Sequence, residues 1–391
     1  MRIHWAVDTN YIGIGFGYST HQKRLREGLE RQGVEITDKS DIAVHLTTPD
    51  AFRPIPGKFN ILYTMYECTT LPKRWIDPIN TAHAVVVPCK QNVGLFKNYT
   101  KLPLAMCWEG VEVDKYTYYQ REFPQDRPFT YLWLGASNPR KGNEHMIYAW
   151  ERFNIELQLR GMDRTKFLMV FKTTQETDRE VGVHFKFKNK KGKLLWEETK
   201  SEKMPAERLL QVAGNSIFDS RRLPILPVND NYNVKEPNSL QEVYHAAHCF
   251  VLPTRGEGFG LTLAEAASTG CPCIYTPWSG PKDFMSDQTG YPLKFKFSPV
   301  RAIGYRKNEE TGKMEKYISH ESLGADADIN HIVRRMFQVY FDYETAIEKG
   351  RRAAENIRKN FTWDISAQSF IKIVEGWMPM INEKLKEIKA A

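Results

Sequence analysis

The sequence predicts an α/β protein of two similar halves, each built on a parallel sheet. Three observations predict it. Short apolar runs alternate with charged helical stretches along the chain; its 391 residues exceed what one core usually supports; and a proline-rich polar break near residues 123–128 is followed by a fresh apolar strand.

The first half opens with an apolar run at residues 3–7, a glycine-rich turn at 13–17 and a charged helical stretch at 19–32 that Gly33 ends as a C-cap. Apolar runs at 42–46, 60–63 and 84–88 follow, at the spacing that parallel βα units require. The break places a first domain at 1–126. A second domain at 127–362 repeats the logic, with strands at 131–134, 167–171, 248–253 and 272–276. Two segments interrupt it. Residues 185–193 alternate apolar and basic side chains around Asn189 and Gly192 and read as a basic-tipped hairpin, either solvated or binding; 294–318 is rich in Lys, Phe, Tyr and turn residues. The last segment, 363–391, is a long amphipathic helix, expected to break near Pro379 and to pack back on the first domain.

With 41% hydrophobic and 26% charged residues and no low-complexity tract, a folded enzyme is expected. No apolar run approaches the roughly 18 residues of a membrane span, and the start reads as a buried strand and not a signal peptide, so a cytoplasmic protein is expected. The six cysteines form no Cys-x-x-Cys pair and read as reduced thiols; His245, His248 and Cys249 fall on different faces of a helix running into a strand, which argues against a metal there. Fifty-five Lys plus Arg against 47 Asp plus Glu give +8, which favours an anionic partner.

The chemistry concentrates in Thr254-Arg255-Gly256-Glu257-Gly258-Phe259-Gly260-Leu261-Thr262-Leu263-Ala264-Glu265-Ala266, where a strand, a glycine-rich turn and a helix follow in order. Free N–H groups at a helix start carry partial positive charge that suits a phosphate, and glycines let the backbone approach a ligand. Glu257 and Glu265 are separated on the order of 10 Å along the turn and helix, enough for one to meet a sugar and the other a ribose.

This Glu-x7-Glu segment resembles the signature of the retaining glycosyltransferase family 4, of GT-B fold: two Rossmann-like domains with parallel sheets facing across a cleft and a C-terminal helix crossing back. The resemblance implies that Glu257 lies by the donor sugar, that Glu265 accepts hydrogen bonds from ribose hydroxyls, and that the backbone of Gly258, Phe259, Gly260 and Leu261 meets the donor. Gly135-Ala136-Ser137-Asn138-Pro139-Arg140-Lys141-Gly142 resembles the family segment whose lysine, here Lys141, binds the diphosphate. Where the family has an arginine, this chain has Ala136, which leaves Arg140 as the nearest second cation. Gly15 and Phe16 fall in a loop resembling the one that faces the donor phosphates from the first domain. Many members carry a histidine after the strand that here precedes Tyr66 and Glu67; one of these two is expected to face the cleft in its place.

The resemblance thus implies an enzyme that moves a hexosyl or pentosyl group from a nucleotide sugar, UDP-sugar favoured, with retention and without a protein nucleophile, Glu257 acting as a positioning residue. No cofactor or essential metal is expected: Asp326-Ala327-Asp328 reads as a helix start, not a metal site. The favoured acceptor is DNA, as a hydroxymethylated pyrimidine of the kind glycosylated in phage genomes, on which reading the protein works in a host cytoplasm; glycan, lipid and protein acceptors stay open. Tyr63, Tyr66 and Trp75 are expected near the acceptor side, able to stack on a base or a sugar. Two readings of other classes compete. A dinucleotide-dependent oxidoreductase would use residues 13–17 with Glu35, but the spacing is Gly-x-Gly-x-Gly. A non-catalytic sugar- or nucleic-acid-binding protein would not need both Glu257 and Glu265.

Overall fold

A computed structural model describes residues 1–6, 17–135, 139–172, 186–188, 194–197, 216–219, 226–227, 234–235, 239–307 and 314–390; for those within 186–235 and 301–319 it describes the backbone alone. Gly15, Phe16, Ala136 and the tip of the basic hairpin at 189–193 lie outside the described residues.

The first sheet comprises β1 (Arg2–Ala6), β2 (Glu35–Ile36), β3 (Ile42–Leu46), β4 (Phe59–Tyr63), β5 (Ala84–Val87) and β6 (Leu104–Met106). Its order is β2-β1-β3-β4-β5-β6 and every pair is parallel. The central strands read IAVHL, FNILY and AVVV and are buried along their whole length, as strands covered by helices on both faces must be. Helices α1 (Gly17–Arg31), α2 (Lys73–Asn80) and α3 (Lys90–Phe96) belong to this half. The three residues of β6 carry no periodic signal and were not foreseeable as a strand.

The second half contributes β7 (Phe129–Leu134), α4 (Asn143–Leu159), β8 (Phe167–Lys172), β9 (Lys186–Lys188), β10 (Leu194–Glu197), β11 (Ser216–Asp219), β12 (Leu226–Pro227), β13 (Val234–Lys235), α5 (Leu240–Ala246), β14 (Cys249–Leu252), α6 (Leu261–Ser268), β15 (Cys273–Tyr275), α7 (Pro281–Phe284) and β16 (Tyr291–Pro292). Its sheet runs β11-β8-β7-β14-β15-β16, again all parallel. The basic segment is a hairpin, β9 antiparallel to β10. The stretch expected only as an insertion is a long antiparallel ribbon, β17 (Phe295–Lys307) with β18 (Met314–Ala327). Then come α8 (Ile329–Phe341), α9 (Tyr343–Asn360) and α10 (Trp363–Ala390).

α10 crosses back to the first domain. Its Trp363, Ala367, Phe370, Val374, Ile381 and Leu385 are buried in one cluster with Ile3, Leu25, Val44 and Tyr63, each large apolar side chain contributing about 1.5–3 kcal/mol. The helix does not break at Pro379. Both Pro379 and Glu375, whose carbonyl would pair with the missing N–H, are exposed, so water satisfies that carbonyl and the core face continues unbroken. The two chain crossings between domains touch: Val111 bridges Thr362, and the Val111 N–H donates to the Phe361 carbonyl at 2.9 Å.

Candidate active site in the interdomain cleft

In the second sheet β7 and β14 are neighbours, with β8 beyond one and β15 beyond the other. The strand order diverges there, and such a divergence opens a crevice at the carboxyl ends of the two strands. The segments leaving those two ends carry the motif residues. After β7, a single 3-10 turn spans Pro139–Lys141; after β14 the chain runs through Thr254 to Gly260 before α6. They meet at Glu257. Lys141 Nζ donates to both carboxylate oxygens of Glu257, at 2.9 and 2.7 Å, and the Thr254 hydroxyl donates to one of them at 2.9 Å. Arg140 Nη1 donates to the Gly256 carbonyl at 2.7 Å and stands 3.5 Å from Glu257, while its Nη2 stands 3.5 Å from Glu67 of the first domain.

Glu257 is 5% exposed. Burial pushes its carboxyl up, yet Lys141, Arg140 and the Thr254 hydroxyl outweigh that and hold it below the ordinary glutamate value, so it is ionised. Burial lowers Lys141, which Glu257 partly restores. The cluster holds two carboxylates and two cations and is balanced internally.

The glycines of the motif serve the meeting of the two domains. A Cβ on Gly256 would fall well inside van der Waals contact of the Glu67 carbonyl oxygen, and one on Gly258 would meet the Met65 side chain. The bare backbone is what lets the first domain close on this turn. Gly260, at φ +105°, is the N-cap of α6, a conformation only glycine adopts freely. The Phe259 ring is 1% exposed, packed 4.9 Å from Phe284, so its side chain belongs to the core. Leu261 is partly buried and packs toward both domain cores. Ser279, at φ 60°, donates through its hydroxyl to the Glu257 carbonyl at 2.7 Å, a strained residue fixing the turn from behind.

Glu265 stands four residues into α6 and accepts from the Tyr244 hydroxyl at 2.9 Å. Its surroundings are dense: burial raises its carboxyl to about 7, against the pull of Tyr244, Lys115 and Tyr116. Of the two residues in the place of the family histidine, Glu67 faces Arg140, whereas the Tyr66 ring packs edge-on against Trp75 at 5.2 Å. Tyr63 and Trp75 are 0% and 7% exposed and are core residues, which corrects the expectation that they could stack on an acceptor. Tyr63 donates its hydroxyl to the Cys107 carbonyl, and the apolar sheet interior claims its ring.

Asp328 caps α8, accepting from the His331 N–H at 3.0 Å, and Asp326 takes His145 at 2.8 Å and Arg255 at 3.2 Å. His245 stacks on Tyr119 while His248 accepts from the Thr130 N–H inside the core, so these two histidines do diverge. All six cysteines are buried and free. No helix among the described residues is long and apolar enough to cross a membrane.

Several residues at the cleft make contacts that the sequence does not announce. Asp283 accepts from the Lys90 N–H at 2.9 Å and from Trp108 Nε1 at 3.1 Å, so the second domain caps α3 of the first. The base of the β17–β18 ribbon clasps the first domain: the Thr70 N–H donates to the Ser322 hydroxyl at 2.8 Å, the Thr69 N–H to the Leu323 carbonyl at 3.1 Å, and the Leu323 N–H to the Thr69 hydroxyl at 3.1 Å. Glu109, 3% exposed, follows β6 at the floor of the cleft beside His21 of α1.

Two parallel-sheet Rossmann-like domains, a cleft at the strand ends and a C-terminal helix returning to the first domain make up the GT-B fold. Residues 214–370, which include Glu257 and Glu265, match the model of family 4 glycosyltransferases in conflict systems, in keeping with the resemblance carried by the motif. No curated protein matches the sequence. Among solved structures the chain is similar to Anabaena HepE in complex with UDP and glucose, at 11% identity over 96% of this chain and 100% of that one, with a TM-score of 0.60. It is also similar to a sucrose-phosphate synthase from Thermosynechococcus elongatus, at 14% identity over 95% and 81% of the two chains and a TM-score of 0.56. WaaG, a glycosyltransferase involved in lipopolysaccharide biosynthesis, aligns over 94% and 98% at 12% identity and a TM-score of 0.56.

Proposed function

We propose that this glycosyltransferase transfers a sugar from a UDP-sugar to an acceptor hydroxyl with retention of configuration. The observation that carries the reading is the Lys141–Glu257–Arg140 cluster at the strand-order divergence, with Glu265 eight residues further on. Lys141 and Arg140 neutralise the diphosphate as it leaves, Glu265 accepts from the ribose, and Glu257 orients the sugar. The bond between the anomeric carbon and the diphosphate breaks, the acceptor oxygen bonds to that carbon on the same face, and its proton passes to the departing phosphate oxygen. No side chain forms a covalent intermediate, and no metal is required. That HepE was solved with UDP and glucose supports a UDP donor.

For the acceptor we favour a hydroxymethylated pyrimidine in DNA, on the net charge of +8 and the β9–β10 and β17–β18 ribbons, whose sequences are rich in Lys and Arg. The test is incubation with a panel of nucleotide sugars plus modified and unmodified DNA, read by mass spectrometry. Added hexose or pentose on hydroxymethylated DNA alone is the expected result, with duplex affinity falling steeply as salt rises. Sugar transfer to none of the DNAs, or duplex binding insensitive to salt, would overturn the acceptor assignment. Turnover undiminished by a chelator is expected; abolition by it would overturn the metal-free step.

A further inference from the structure

A second carboxyl, Glu109, stands where the first domain meets the second: the adjoining Trp108 donates to Asp283 of the second domain, and Glu257 is near enough to raise the Glu109 carboxyl. Glu109 leaves the edge strand of the first sheet just before the crossing to the second domain, and Gly110 beside it packs directly on the backbone of Trp363, which pins the chain there. Its nearest polar neighbour is His21 Nδ1 at 3.7 Å, too far for a hydrogen bond. Neither nitrogen of His21 has a hydrogen-bond partner, and its ring sits edge-on to Tyr63 at 4.7 Å and tilted to Trp363 at 5.4 Å. A carboxyl on a side chain covered to 3%, with only an imidazole at 3.7 Å beside it, is costly to keep and calls for a reason.

We propose that Glu109 is a binding residue for the donor sugar, acting as a hydrogen-bond donor from the first domain opposite the ionised acceptor Glu257. The proposal rests on the donor reading above. Glu257, which that reading places at the sugar, is as deeply covered as Glu109, so burial does not separate the two. What separates them is their neighbours. Glu257 has Lys141 and Arg140 at hand and is charged. Glu109 has none within ion-pairing distance: burial first, then Glu257 and Glu67, push its carboxyl up to about 8, with only Lys141 opposing. His21, held down to about 3 by burial, is neutral too, so the two are not an ion pair. The other titratable groups facing Glu109 are Tyr63 and Cys107, both raised by burial and neutral. Two carboxyls driven apart in this way take opposite roles, one donating and one accepting. Ionised Glu109 would put a second negative charge beside Glu257 and an anionic donor.

The test measures the affinities of the full chain for UDP and for UDP-glucose by calorimetry from about pH 6.5 to about pH 9.5. Their ratio isolates the sugar contact and cancels the titration of Glu265 at the ribose. In the wild type the ratio should fall about tenfold with a midpoint near 8, one hydrogen bond's worth. Glu109→Gln, which keeps a donor and cannot ionise, should hold the low-pH ratio throughout; Glu109→Ala should show the reduced ratio throughout. Melting temperatures of the variants report folding separately. A pH-independent ratio in the wild type, or a Glu109→Gln ratio that falls as the wild type's does, overturns the proposal. Absence of binding by both UDP and UDP-glucose overturns the donor reading itself.

Discussion

Lys141 Nζ bridges both carboxylate oxygens of Glu257, at 2.9 and 2.7 Å, so the cation assigned to the donor diphosphate is engaged by the acid assigned to the donor sugar. A diphosphate must therefore compete with Glu257 for Lys141. Glu257→Gln is expected to abolish transfer and at the same time tighten UDP, by about tenfold, since a charged hydrogen bond no longer holds the lysine away. Lys141→Ala should weaken UDP and also destabilise the fold by on the order of 3 kcal/mol, because Glu257 is left buried with its main counter-charge gone. Calorimetry and denaturant midpoints check both. UDP binding unchanged in Glu257→Gln would mean that the two partners do not exchange.

Glu265 sets a pH dependence whose sign follows from its raised carboxyl, about 7 against an ordinary 4.5. Between those values the unfolded chain has released the proton and the fold has kept it, so the fold binds more protons and stability falls as pH rises through that window. Glu109 adds the same sign up to about 8. Melting temperature should decline from about pH 5 to about pH 8, and Glu265→Gln should flatten the lower part of that decline. UDP protection should move the other way, growing as Glu265 ionises into a pure acceptor for ribose hydroxyls. A melting temperature that rises over this range would contradict both assignments.

The second-domain half of the candidate site was legible because it is local. Strand, glycine turn and helix follow within residues 249–268, and their residue types carry the chemistry whatever the rest of the chain does. The fold class was legible for a related reason: buried parallel strands read as apolar runs, as in AVVV of β5. Glu109, His21, Ser279 and Asp283 were not legible, because each acquires its role from a contact between distant segments. Asp283 caps a helix that begins 193 residues earlier, and no spacing announces it. Pro379 misled in the other direction: the rule that proline ends a helix assumes that the lost hydrogen bond is buried, and here it faces water.

The ribbon clasp gives a prediction about the acceptor. Ser322→Ala removes the hydroxyl that receives the Thr70 N–H at 2.8 Å and leaves in place the bonds from the Thr69 N–H to the Leu323 carbonyl and from the Leu323 N–H to the Thr69 hydroxyl. The stability cost should be about 1 kcal/mol. On the proposed donor reading UDP is held by the second domain and should bind as before, whereas KM for the acceptor should rise, since the clasp sets how β17 and β18 stand over the first domain. Equal losses in UDP affinity and acceptor KM would show a general loosening instead.

Gly256 and Gly260 lie in one turn, and their alanine variants should fail in different ways. At Gly260 the obstacle is the residue's own backbone, φ +105°, so alanine strains the start of α6 and should cost about 1–2 kcal/mol of stability. Gly256 has no positive φ among the described backbone; its obstacle is the Glu67 carbonyl of the other domain. An alanine there is tolerated within the second domain and pushes on the first. The chain can relieve that push where its two crossings meet, at Val111 and Thr362, by letting the domains part. Gly256→Ala should thus keep its melting temperature and bind UDP within a few-fold of normal. Its radius of gyration should increase in small-angle scattering, and turnover should fall by about a hundredfold, because Glu67 and Glu109 no longer face Glu257 at working distance. If the radius of gyration stays put while stability drops, the glycine serves the turn and not the meeting of the domains.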